Sequence, residues 1–136
     1  MYGVVEIAGH QYRVSPGDLI DVEKLSEEAG KNITLDKVLF IGGDKPVVGI
    51  PTVNKAKIKA QVIKSDRSRK IIVLKRKPGM YVKKNGHRQH FTSLLITELD
   101  DGQGNSLKID PKSKNAKYLT KNTKAVAPKK KAAKEK

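Results

Sequence analysis

The stretch Lys55-Ala56-Lys57-Ile58-Lys59-Ala60-Gln61-Val62 governs how the rest of the chain is read. Ala56, Ile58, Ala60 and Val62 occupy alternate positions, and Lys55, Lys57, Lys59 and Gln61 fill the positions between. A period of two belongs to a strand with one face on a core and the other in water. Here the wet face is cationic. The neighbouring sequence repeats both themes, short half-buried strands and basic surface.

Upstream, Gly and Pro punctuate runs rich in β-branched residues. Tyr2–Ala8 reads as a first strand, and Gln11–Val14 continues it or pairs with it across Gly9. Ser15-Pro16-Gly17-Asp18 is a turn signal, followed by a strand at Leu19–Glu23. Leu25–Lys31 reads as a short helical turn ended by Gly30, and Ile33–Ile41 as one apolar run closed by Gly42-Gly43-Asp44. Downstream, Ser65-Asp66-Arg67-Ser68 is expected to turn the chain into Lys70–Lys75, making Lys55–Lys77 a hairpin with a basic tip. Pro78-Gly79 and Asn85-Gly86 are two further turn signals, with Met80–Lys84 as a loop between them and Gly86 expected at positive φ. Phe91–Leu99 resumes as a strand, Asp101-Gly102 turns, and Leu107–Ile109 pairs back. The expected fold is all-β: a small barrel or sandwich with a long basic hairpin loop. The expected organisation is a β domain over 1–111, its excursion at about 64–90, and a low-complexity basic tail over 112–136.

The charge is unevenly spread. The 136 residues carry 29 Lys and Arg against 14 Asp and Glu, a net +15. Residues 64–88 hold ten basic groups against Asp66 alone, and residues 112–136 hold ten Lys against Glu135 alone. The remainder is close to neutral. A balance so basic points to a polyanionic partner: nucleic acid, an anionic membrane surface or an acidic protein. The Lys/Ala/Pro tail has too little apolar area to offset its ordering entropy and reads as disordered. It is either an interaction arm or a solubilising segment. The internal block differs, because Ile71-Ile72-Val73-Leu74 and Met80-Tyr81-Val82 interrupt it.

Other chemistries find little support. Without Cys there is no disulfide framework and no thiolate ligand or nucleophile. His10, His87 and His90 lack the converging partners zinc needs, so no metal site and no cofactor are expected. Glu98-Leu99-Asp100-Asp101-Gly102 misses the EF-hand spacing. Gly42-Gly43 misses that of a phosphate-cradling loop. No triad is suggested, and an enzyme ranks lowest. The opening residues lack the charged head and apolar run of a signal peptide, and no stretch approaches the roughly 20 apolar residues of a membrane span. A soluble intracellular protein is the expectation, with no membrane and no small-molecule substrate.

The internal block carries the case for RNA. Lys64, Arg67, Arg69, Lys70, Lys75, Arg76, Lys77, Lys83, Lys84 and Arg88 supply charge for phosphates, and Arg forks two hydrogen bonds onto one phosphate. Tyr81, His87 and His90 supply planar groups that stack on splayed bases, and Gln89 reads base edges or 2′-hydroxyls. Phe91 fits a core role as well as a stacking role.

Several segments resemble a known family. Tyr2-Gly3-Val4-Val5-Glu6-Ile7, Gly9-His10-Gln11-Tyr12-Arg13-Val14, Gly17-Asp18 with Val22-Glu23-Lys24-Leu25, and Asp36-Lys37-Val38-Leu39 with Gly42-Gly43 form one ordered set. Lys70-Ile71-Ile72-Val73-Leu74-Lys75 and Gly86-His87-Arg88-Gln89, followed by Phe91-Thr92, complete it. Over about residues 1–99 the chain is similar to the L-twenty-one family of bacterial large-subunit ribosomal proteins. The resemblance implies a small β domain on the ribosome in the cytoplasm. It also implies a basic loop that enters large-subunit ribosomal RNA, and a neighbouring large-subunit protein. Pro78-Gly79-Met80 and Val82 stand where that family usually carries Arg and Lys. The main rival reading is a free-standing nucleic-acid chaperone. A peripheral membrane protein ranks below it for want of an amphipathic helix.

Overall fold

The structure, a computed structural model, describes residues 1–43, 45–110 and 113–118. Eleven strands account for most of the described chain: β1 Tyr2–Ile7, β2 His10–Val14, β3 Leu19–Glu23, β4 Asn32–Leu35, β5 Val38–Gly42, β6 Val47–Val48, β7 Lys57–Arg67, β8 Ile71–Lys77, β9 Tyr81–His87, β10 His90–Asp100 and β11 Ser106–Lys108. They form a four-stranded sheet ordered β2-β1-β5-β6 and a five-stranded sheet ordered β11-β10-β7-β4, with β3 added to β10. The β8–β9 pair is a separate two-stranded ribbon. Among the described residues the sheets do not close on themselves, which selects the sandwich over the barrel.

The alternation that opened the sequence reading is realised in β7. Ile58, Ala60 and Val62 are fully buried, while Lys57 and Lys59 face water. Facing them in the core are Val5, Ile7, Val14, Val38 and Ile41 from the other sheet. β1 alternates in the same way, and its turn to β2 places Ala8 at φ 50° and Gly9 at φ 81°, the two positive values of a tight I′-like hairpin. β10 is buried on both faces from Thr92 through Ile96. It is flanked by β7 along its length and by β3 and β11 on its other edge.

Four expectations need correction. First, the run Ile33–Ile41 is two strands in different sheets, β4 on β7 and β5 on β1, with polar Asp36-Lys37 at the crossing. Second, Leu25–Lys31 is not helical. Gly30 N–H donates to Val62 O and Val62 N–H to Lys31 O, so the end of the segment is captured as an extension of β4. An isolated turn of helix is too short to compete with such sheet bonds. Third, Lys55–Lys77 is not a hairpin. β7 continues through Ser65-Asp66-Arg67 and pairs with β10, and β8 pairs with β9. The true hairpin runs from Lys57 opposite Asp100 out to Lys77 opposite Tyr81, with Pro78-Gly79-Met80 as its tip. Pro presets φ for a turn and Gly79 takes φ 88° at no steric cost, whereas Ser65–Ser68 holds neither Pro nor Gly. Fourth, Asn85-Gly86 is not a turn, and Met80–Lys84 is not a loop. Asn85 and Gly86 lie within β9 opposite Val73 and Ile72, and Gly86 does not take positive φ. Turning there would strip Ile71–Leu74 of its partner strand.

Beyond Asp100, Asp101 turns the chain by accepting hydrogen bonds from the Gln103 and Asn105 N–H groups, and β11 pairs back as expected. Residues 113–118 fold against the body, where the Asn115 side-chain amide donates to Gly17 O at 2.8 Å. The rest of the expected basic tail lies outside the described residues.

Candidate nucleic-acid interface

The basic block becomes an arm. From β7 and β10 the chain passes through Ser68–Lys70 into β8, and it returns from β9 through Arg88-Gln89. Every residue of β8 and β9 is exposed. Seven residues of strand give a reach of roughly 20 Å.

Residues directly opposite in an antiparallel pair share a face, so the register sorts the side chains. One face holds Ile71 with His87, Val73 with Asn85, Lys75 with Lys83, and Lys77 with Tyr81. The other holds Ile72 with Gly86, Leu74 with Lys84, and Arg76 with Val82. The candidate RNA contacts therefore do not form one surface. Lys75, Lys77, Tyr81 and Lys83 lie on one side, Arg76 and Lys84 on the other. Both faces grade from apolar near the root to cationic near the tip. At the tip Met80 is 98% exposed and has φ 65°. Tyr81 is half exposed and belongs to no core.

The root gathers a different set. Ser65, Asp66, Arg67, Arg88 and His90 line a shallow cleft. Arg88 Nε donates to Ser68 O at 2.9 Å and its Nη2 to Arg67 O at 3.4 Å. Ser68 N–H donates to Gln89 O, and Gln89 N–H to Ser68 Oγ. Gln89 Nε2 donates to Glu23 Oε2 at 2.7 Å, which turns its Oε1 toward His87 Nε2 at 2.8 Å. The carboxylate thus orients the amide, and the amide oxygen is the group that faces the imidazole. Asp66 is held below the usual carboxylate range, first by the Arg67 backbone N–H and then by Lys64, so an anion persists among these cations. Loss of hydration, with Arg67, Lys24, Arg88 and His87 adding repulsion, holds His90 below the ordinary imidazole range and favours its neutral form.

Lys64 and Arg69 are exposed near the root, and so is Lys70, whose side chain lies where a Cβ on Gly86 would stand. The Lys64 ammonium sits 5.5 Å from the centre of the half-buried Phe91 ring. That gives Phe91 a packing partner as well as a place in β10. The cationic outer face of β7 does not simply extend the arm's charge: Lys59 Nζ lies 2.6 Å from Glu98, which also pairs with Lys108. Sequence reasoning missed Ser68 and Glu23, which join the root across long separations that leave no local pattern. Among the described residues no group of three or more His, Cys, Asp or Glu is placed to hold a metal ion.

The profile of the prokaryotic L21 ribosomal protein family matches residues 1–99, which takes in the sandwich through Leu99 and the whole ribbon. A "Large ribosomal subunit protein bL21" of Lachnoclostridium phytofermentans is 44% identical over 102 residues, spanning 74% of this chain and 99% of that protein. The bL21 protein of Nitratidesulfovibrio vulgaris is 45% identical over 97 residues, spanning 71% of this chain and 95% of its own. A sandwich bearing an exposed basic ribbon, matched over nearly the full length of these relatives, places the chain in the prokaryotic L21 family of ribosomal proteins.

Proposed function

We propose that the protein is a structural constituent of the large ribosomal subunit, in the cytoplasm, and that it binds ribosomal RNA with the β8–β9 ribbon. The family is one of ribosomal proteins and not an enzyme family. The observation that carries the RNA reading is the placement of Lys75 directly opposite Lys83 on one bare face, with Arg76 and Lys84 on the reverse face. Like charges facing each other weaken a strand pair, and a two-stranded ribbon in water is marginal at best. An intervening polyanion removes the repulsion. Cations on both faces suit a ribbon inserted between RNA segments better than one laid on a surface.

In this reading Lys75, Arg76, Lys77, Lys83 and Lys84 neutralise phosphates and Tyr81 stacks on an unpaired base. Lys64, Arg67, Arg69 and Lys70 add charge where the arm leaves the body. A neighbouring large-subunit protein is also expected beside the domain. The test is binding to large-subunit ribosomal RNA as a function of salt. About six phosphate contacts give a log–log slope near −4, taking the single-strand coefficient. A slope near zero overturns the electrostatic account.

A further inference from the structure

His87, Arg88 and Gln89 read in sequence as RNA ligands, yet all three are already engaged with the protein. We infer that His87, Arg88 and Gln89, together with Ser68 and Glu23, form a clamp that sets the direction in which the ribbon leaves the sandwich. They are positioning residues for RNA binding. The inference rests on the ribbon being the RNA-binding arm.

The geometry is specific. β7–β10 pairing ends at Arg67 opposite His90, and β8–β9 pairing begins at Ile71 opposite His87. Between these two ladders the hairpin is interrupted, and such a break would act as a hinge unless something stiffened it. The clamp spans this gap. Arg88 reaches across to two consecutive carbonyls, Arg67 O and Ser68 O. Ser68 and Gln89 exchange a reciprocal pair of bonds. Gln89 then ties the break to Glu23 at the end of β3, which is itself paired with β10. With Nε and Nη2 so engaged, Arg88 does not have that edge free to fork onto a phosphate. Holding the root fixed lowers the freedom the arm loses on binding, which raises affinity without a new contact.

Glu23 allows a test of sign. Removing an acid from a protein that binds RNA strengthens binding if only charge matters. Removing a clamp residue weakens it. We expect Glu23→Ala to weaken binding to large-subunit ribosomal RNA about fivefold, the scale of one lost hydrogen bond. The salt slope should not change, because no phosphate contact is lost. Ser68→Ala should act in the same direction. The chain has no Cys, so spin labels at Met80→Cys and Gln11→Cys report the tip against the sandwich without background. Electron–electron distance measurement should give one narrow distribution for the otherwise native protein and a clearly broader one with Glu23→Ala. Tighter binding by Glu23→Ala, or a distance distribution that it leaves unchanged, overturns the clamp. If the native protein binds RNA without salt dependence, the arm's proposed function fails instead, and the distance measurement still decides the clamp on its own.

Discussion

β7 and β8 lie on the same side of one long hairpin and are paired in the same antiparallel way, but they have opposite fates. In β7, Ile58, Ala60 and Val62 are sealed between two sheets; in β8, Ile71, Ile72, Val73 and Leu74 stay about half exposed. The apolar residues of β8 are no smaller. The difference is the number of neighbours. β7 has a strand on each edge and a second sheet over its inner face, whereas β8 has a strand on one edge and water on both faces. Strand formation and burial are therefore separable. In this molecule the first extends a hairpin well beyond the domain that the second stabilises.

The sharpest break of this comparison is a matched pair of truncations. Ile58→Ala should destabilise the protein by about 2–5 kcal/mol, through lost burial and the cavity left behind. Leu74→Ala on the ribbon should stay within about 0.5 kcal/mol. Urea unfolding of both variants reads the difference, and similar losses would mean that the ribbon is part of the cooperative core.

Charge should show the reverse ordering. Replacing Lys75, Arg76, Lys83 and Lys84 by Gln should flatten the salt slope for RNA binding by about 3, four contacts at the single-strand coefficient, while leaving the urea midpoint where it was. A lowered midpoint with an unchanged slope would assign these residues to folding.

How much of this was legible in the sequence follows from the same physics. The faces of β7 could be read because burial on one side imposes a period of two. The β2–β3 turn at Pro16-Gly17-Asp18 and the Asp101-Gly102 turn could be read because each carries residues that few other conformations favour. The pairing of 64–90 could not, since three competing turn signals lay within it, and the register depends on which choice leaves the fewest strands unpaired. Asn85-Gly86 lost that competition to Pro78-Gly79 although its dipeptide is the stronger hairpin signal. At the root, Arg88 and Gln89 were seen as polar residues in a basic block. Their partners, Ser68 and Glu23, lie 20 to 66 residues away, beyond any local pattern.

Smaller effects refine the contrast. On the sandwich, Lys59 and then Lys108 hold Glu98 below its usual range by hydrogen bonding. A depressed carboxylate stabilises the fold above its unfolded value, near 4.5, and loses that contribution as pH falls through its lower folded value. Thermal unfolding of Glu98→Gln should thus trail the native protein at neutral pH and converge with it in acid. An equal gap at both pH values would remove the ion pair from the account. Smallest of all, Asp66→Asn should tighten RNA binding about twofold by removing the one acid among the arm's cations. The side-chain oxygen it keeps can still accept from the Arg67 N–H, and filter binding at low salt would show the change. Weaker binding would mean that the Asp66 carboxylate itself organises the root.

The most direct measurement is competition for assembly. A tagged variant with Lys75, Arg76, Lys77, Lys83 and Lys84 replaced by Gln is expressed beside the untagged native protein, and large subunits are sedimented after a high-salt wash. With the ribbon as the RNA-binding arm, the variant should be at least about tenfold under-represented, a loss of about 1.4 kcal/mol or more, while its purified sandwich unfolds at the native urea midpoint. Equal representation of the two proteins in washed subunits would show that the ribbon's charge does not hold the protein on the ribosome.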